Sequence, residues 1–203
     1  MSEIKKLSEL DEKQADESIR IFVDGLFAQF AAISKDKEKL HKLFKKSLDY
    51  DMTYAFLQDG EALGFLGLGD YQKRPIKLDE EAFMEIKGGF AGKVAFGAMS
   101  AAMEKPNLSS PREICIEYLA TNPVHRSKGI GSKLIEFVRN IPGCERIELE
   151  VFSKNPRAIK FYEREGFKVV SAKTDLAMML QGSGKRIIMR YGQPVNSPLN
   201  HIR

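Results

Sequence analysis

Hydrophobic and polar positions change period several times along the chain. Ile19, Phe22, Val23, Leu26, Phe27 and Phe30 recur at helical steps, and Asp11 with Gln14 supplies a capping box ahead of them. A short strand around Ile4 to Leu7 precedes that helix. A second helix follows Ser34, with Leu40, Leu43, Phe44 and Leu48 inward and a row of lysines outward as a solvated face. Met52 to Gln58 and Glu61 to Gly69 are β-rich runs joined by Asp59-Gly60, the strongest short hairpin signal. The glycines at 64, 67 and 69 weaken the second run unless something approaches its backbone closely.

Between Tyr71 and Pro111 the pattern loosens. Basic residues at Lys73, Arg74 and Lys77 give way to an acidic helix start at Asp79 to Glu81. Phe83, Ile86 and Phe90, then Phe96, Met99 and Met103, mark two short helices with a flexible glycine-bearing break. They suit either an adaptable cap over a pocket or a helical pair that fills out the core.

From Glu113 the pattern sharpens. Ile114, Ile116 and Tyr118 alternate with Cys115, Glu117 and Leu119, a strand that puts Glu117 on the face opposite Tyr118. A glycine-bearing loop leads into a helix whose apolar face is Ile130, Leu134, Phe137 and Val138. Ile147, Leu149 and Val151 mark another strand, and Asn155-Pro156 opens a helix that stops at Gly166. Phe167 to Ala172 and Lys185 to Tyr191 form two last strands around the turn Gln181 to Gly184, before an irregular tail from Gly192 to Arg203. No repeat or linker divides this order, so residues 1–203 make one mixed-sheet α/β domain with a helical insertion at about 71–111.

Composition changes the picture little: 43% hydrophobic and 30% charged residues are those of an ordinary globular protein. The net charge of +4, from 32 Lys and Arg against 28 Asp and Glu, favours anionic ligands but is too mild for nucleic acid. Cys115 and Cys144 form no metal-ligand spacing with each other or with His41, His125 and His201, and read as reduced thiols. No apolar run approaches the ~20 residues of a membrane helix, and the charged start is unlike a signal peptide, so the expected location is cytoplasmic. Exposed strand edges are compatible with a homodimer.

The stretch His125 to Val138 concentrates the candidate chemistry. Gly129 and Gly131 remove side chains where loop becomes helix, so unpaired amides can approach an anion. The helix start adds roughly half a positive charge, and Arg126, Lys128 and Lys133 add whole ones, which suits phosphate or pyrophosphate. The dinucleotide fingerprint would need glycine where Leu134 stands, and a P-loop would need Gly-Lys-Ser/Thr where Gly131-Ser132-Lys133 stands; neither fits.

Three segments together carry a resemblance: I-E-Y-L-A-T-N-P at 116 to 123, H-R-S-K-G-I-G at 125 to 131, and N-P-R-A-I-K-F-Y-E-R-E-G-F at 155 to 167. The chain resembles the GNAT superfamily of acyl-CoA-dependent N-acyltransferases. Arg126, Gly129 and Gly131 match its Arg/Gln-x-x-Gly-x-Gly/Ala signature, and Asn155, Ala158, Tyr162, Gly166 and Phe167 match its second motif. The resemblance is sharp over about Ile114 to Val170 and covers the N-terminal half only in element order. It implies an α/β (α+β) fold with a mixed, mostly antiparallel central sheet, helices on both faces and a splayed pair of parallel strands.

The resemblance also implies acetyl-CoA as acyl donor, no metal, and an amine of a small molecule or peptide as acceptor. Lys128, Gly129, Ile130, Gly131 and Ser132 would cradle the pyrophosphate, with Arg126 at the loop. The strand end Leu119, Ala120 and Thr121 would pair with the pantetheine arm, and Asn155 would cap its helix or touch that arm. Tyr162 would stand near the sulfur as general acid. Glu117 is the first candidate for the base, Glu150 the second, and each could equally be a sheet residue paired with Lys or Arg. A non-catalytic acyl-CoA-binding sensor or structural module, and a nucleotide-binding α/β domain, are the competing readings.

Overall fold

Asp59 and Gly60 both have positive φ, 52° and 84°, the geometry that a two-residue hairpin turn requires. Around this hairpin the computed structural model, which describes residues 1–106, 108–174 and 184–192, builds a seven-stranded sheet. Its strands are β1 (Ser2–Lys6), β2 (Thr53–Gln58), β3 (Glu61–Gly69), β4 (Glu113–Thr121), β5 (Arg146–Phe152), β6 (Lys168–Lys173) and β7 (Arg186–Gly192). They lie in the order β1-β2-β3-β4-β5-β7-β6. All neighbours are antiparallel except β4 and β5, which run parallel. The expected turn at Gln181 and the tail beyond Gly192 fall outside the described residues, Gly184 apart.

Each face of the sheet buries its own core. Helices α1 (Glu12–Phe30) and α2 (Lys37–Ser47) bring Ile19, Phe22, Leu40 and Phe44 against Ala55, Phe65, Tyr118 and Ala120. On the opposite face α5 (Ile130–Arg139) and α6 (Pro156–Arg164) bring Ile130, Leu134 and Tyr162 against Leu66, Ile116, Leu149 and Met189. Asp11 caps α1 by accepting from the Gln14 N–H, as expected; the Gln14 side chain, however, donates to Gly60 O and so pins the helix to the hairpin turn.

The three glycines of β3 are explained by what comes close to them. A Cβ at Gly64 would stand 2.9 Å from Ile130 of α5, one at Gly67 3.0 Å from the Tyr118 ring, and one at Gly69 2.9 Å from the Glu117 carboxylate. This strand gives up side chains so that α5 and β4 can be seated.

Helices α3 (Glu80–Lys87) and α4 (Gly89–Glu104) form the 71–111 segment, broken at Gly88 and Gly89, both with φ of 60°. Ala82 and Phe83 are buried in the first core, and Phe96, Met99 and Met103 pack on it. Phe90 and Val94 of α4 remain exposed.

The strict alternation expected in β4 does not hold. Gly67 pairs with Tyr118 and Leu68 with Ile116, so Glu117 is an extra residue, a β-bulge. Ile116 therefore joins the α5 and α6 core while Tyr118 joins the α1 core. Glu117 lies beside Gly69, the register partner of Cys115, and thus on the Tyr118 side of the sheet rather than opposite it.

Candidate active site

Just past the bulge the sheet opens. β4 pairs with β5 only over Glu113–Ile116 against Arg146–Leu149, and β5 continues to Phe152 alongside β7. Among the described residues the β5-facing edge of Leu119 to Thr121 has no ladder partner, so its amides and carbonyls can pair with an extended ligand. Gly25 of α1 backs this edge: a Cβ there would stand 2.6 Å from Ala120 Cβ.

The loop that follows β4 ends in an open helix start. Ser127 and Gly129 both take left-handed φ, 66° and 78°. The first α5 bond runs from Lys133 N–H to Gly129 O at 3.0 Å, which leaves the Ile130, Gly131 and Ser132 amides without a helical acceptor. No side chain caps this end, whereas α1, α2, α3 and α6 are capped by Asp11, Asp36, Asp79 and Asn155. Gly131 is needed for a second reason, since a Cβ there would meet the Phe161 ring at 3.0 Å. Three amides without a helical acceptor and a helix dipole suit a pyrophosphate, although the Ser132 hydroxyl of this turn already donates to the Glu165 carboxylate at 2.6 Å.

A cleft of about 1050 Å³ joins the helix start to the strand edge. Leu119, Ala120, Thr121, Arg126, Gly129, Ile130, Gly131, Ser132, Asn155 and Tyr162 line it. Two of the residues expected at the site do not: Lys128 is exposed, with Nζ 3.4 Å from His125 Nδ1, and Glu117 sits deeper at the bulge. His125, which the motif reading left aside, does line the cleft, as do Arg157, Lys160 and Arg164 of α6. Only the helical phase of α6 against the loop brings those cations there. The Asn155 carboxamide oxygen accepts from the Ala158 N–H at 3.1 Å and so caps α6.

Tyr162 is buried in an aromatic row, 5.0 Å from Phe161 and 5.6 Å from Phe167 between ring centroids. Burial, with the nearby Cys115 thiol, pushes its hydroxyl well above the ordinary tyrosine value, so it holds its proton at neutral pH.

Glu117 is 5% exposed and paired with Arg74, whose Nε donates to Oε1 at 2.8 Å and whose Nη2 donates to Oε2. Burial raises its carboxyl above the usual range, although Arg74 and a bond from Cys115 pull the other way. Burial likewise raises the Cys115 thiol. Glu150, the second candidate base, is more open and meets Arg186 at 3.4 Å. Tyr162 comes from the α6 side and Glu117 lies on the α1 side, with the opening between β4 and β5 separating them.

The model of the GNAT acetyltransferase family matches residues 21–167. The chain belongs to that family. Its GNAT fold recurs in an N-acetyltransferase from Staphylococcus aureus at 13% identity, covering 93% of this chain and all of that one, with a TM-score of 0.59. The ribosomal-protein-S18-alanine N-acetyltransferase of Escherichia coli aligns over the whole of both chains at 15% identity and a TM-score of 0.54. Ard1 from Thermoplasma volcanium, 17% identical, aligns over 94% of this GNAT chain and 96% of its own, with a TM-score of 0.52. No curated protein matches the chain in sequence.

Proposed function

We propose that this GNAT protein transfers an acetyl group from acetyl-CoA directly to a primary amine of a small molecule or peptide. The observation that carries this reading is the uncapped, cation-flanked start of α5 opening into the same cleft as the unpaired edge of β4. The thioester supplies an activated acetyl carbon. The amides of Ile130, Gly131 and Ser132 bind the pyrophosphate, with Arg126 beside them, and Leu119 to Thr121 align the arm. A β4 amide near Leu119 polarises the carbonyl oxygen. Glu117, directly or through water, takes the proton that leaves the attacking nitrogen. As the C–S bond breaks, Tyr162 gives its proton to the thiolate sulfur, worth roughly 10²- to 10⁴-fold in rate. Acid and base on opposite sides of the sheet fit a donor and an acceptor that arrive from opposite sides. The same reading sets the reaction in the cytoplasm, in keeping with the free thiols of Cys115 and Cys144.

The test is purified protein with acetyl-CoA and a panel of spermidine, an aminoglycoside, lysine and a peptide with a free N-terminus, read as released CoA thiol. Release with at least one amine, and CoA binding by calorimetry, are expected. Neither turnover nor binding would sink the reading; binding without turnover would favour a sensor. In the double variant Gly129→Glu with Gly131→Glu, affinity for CoA should fall by about tenfold or more, some 1.4 kcal/mol; unchanged affinity would mean the phosphates bind elsewhere.

A further inference from the structure

The buried Arg74–Glu117 pair joins parts of the chain that the transfer chemistry alone does not connect. Arg74 belongs to the segment between β3 and α3, and its side chain is 17% exposed. It grips both oxygens of Glu117, and its Nη1 donates at 2.8 Å to the carbonyl of Ala102 in the last turn of α4. That turn has a second tie, because the Leu78 N–H donates at 3.0 Å to Glu104. The seat is built for the carboxylate: Gly69 leaves space where a side chain would collide with it, and the bulge turns Glu117 into that space. Pro75, the next residue, lies over Gly67, where a Cβ would stand 3.4 Å from its ring.

We propose that Arg74 is a positioning residue for Glu117: it fixes the carboxylate at the bulge and ties it to the end of α4, so that the base and the α3–α4 pair are set together. The role assigned to Glu117 rests on the acetyltransferase reading; the coupling itself does not. The other titratable groups around this carboxylate are Cys115 and Tyr118 on β4 and Glu150 on β5. Arg74 is the cation that grips it, through Nε at 2.8 Å and through Nη2. A bidentate guanidinium holds a carboxylate in one orientation, which a lysine ammonium cannot do. Seating of α4 then becomes a condition for an oriented base, and the apolar α3–α4 segment acquires a part in the reaction without touching the acetyl group.

The titration needs no acceptor. In protein carrying ¹³C-labelled glutamate, the Glu117 carboxyl carbon is titrated by NMR in the native chain, in Arg74→Lys and in Arg74→Ala, with Glu117→Gln to assign the signal. Loss of an opposite charge at this distance should move the midpoint upward by about one pH unit or more in Arg74→Ala, with Arg74→Lys in between. Amide exchange at residues 99–104 should quicken about tenfold in both Arg74→Ala and Glu117→Gln, because either change breaks the link. A purely structural pair would also move the midpoint and quicken exchange but would leave the acidic limb of CoA release in the amine panel where it was, so an unshifted limb in Arg74→Ala overturns the proposal. An unmoved helix end with a moved midpoint overturns the coupling to α4. If Glu117→Gln still releases CoA at the native rate in the amine panel, the base assignment fails while titration and exchange still decide the coupling of this carboxylate to α4.

Discussion

Tyr162 and Glu117 are both buried, and burial acts on them in the same chemical sense: it keeps the proton on. For an acid that is an advantage at neutral pH. Tyr162→Phe should lower CoA release by about 10²-fold or more while acetyl-CoA affinity stays within about threefold, checked by steady-state kinetics and calorimetry. For a base it sets a threshold. As the proposed base, Glu117 would work only without its proton, and its carboxyl lies above the ordinary range near 4.3, so turnover should rise with pH through a limb displaced above that value. Glu117→Gln should abolish that limb. Retention of the limb would assign it to the acceptor amine or to another group.

At the scale of elements, the closest approach in the site is that of α1 to β4. Gly25→Ala places a methyl 2.6 Å from Ala120 Cβ, so α1 must move off β4. A loss of about 1–3 kcal/mol is expected in denaturant melts, partly restored by adding Ala120→Gly. Most elements were legible because their periods are clean: the Asp59-Gly60 hairpin, the Asp11 cap, the glycine start of α5 and the Asn155-Pro156 start of α6 all stand as read. The bulge at Glu117 was not, because apolar and polar residues keep alternating through Ile114 to Leu119 and only the register against β3 reveals the extra residue. Nor was the Arg74–Glu117 pair, whose members lie 43 residues apart and meet through the Gly67 and Gly69 gaps. The reach of Arg157, Lys160 and Arg164 into the cleft likewise depends on where α6 docks, which no local pattern encodes.

In the whole molecule, two cores share one sheet, and the cleft lies where that sheet splits. A ligand that fills the split should hold both halves together. Acetyl-CoA at 100 times its Kd should add about 2.7 kcal/mol of stability. For a chain of this length that is a rise of ~5–10 °C in the melting midpoint, read by thermal shift. The increment should vanish in the Gly129→Glu, Gly131→Glu variant, and its survival there would show that the stabilising contacts lie away from α5.

The uncapped start of α5 has a further consequence for anyone engineering this protein. Among the described residues four α-helices carry an Asp or Asn cap, each worth about 1 kcal/mol, and α5, like α4, forgoes one. A thermostability screen run on the free protein would be drawn to this turn, because acidic or polar residues that close it add a cap's worth of stability. On the proposed reading, those same changes would put a competitor where the donor's phosphates would bind. Selection for robustness and selection for turnover therefore pull in opposite directions over these few residues, and a useful screen must include the nucleotide-bearing thiol from its first round.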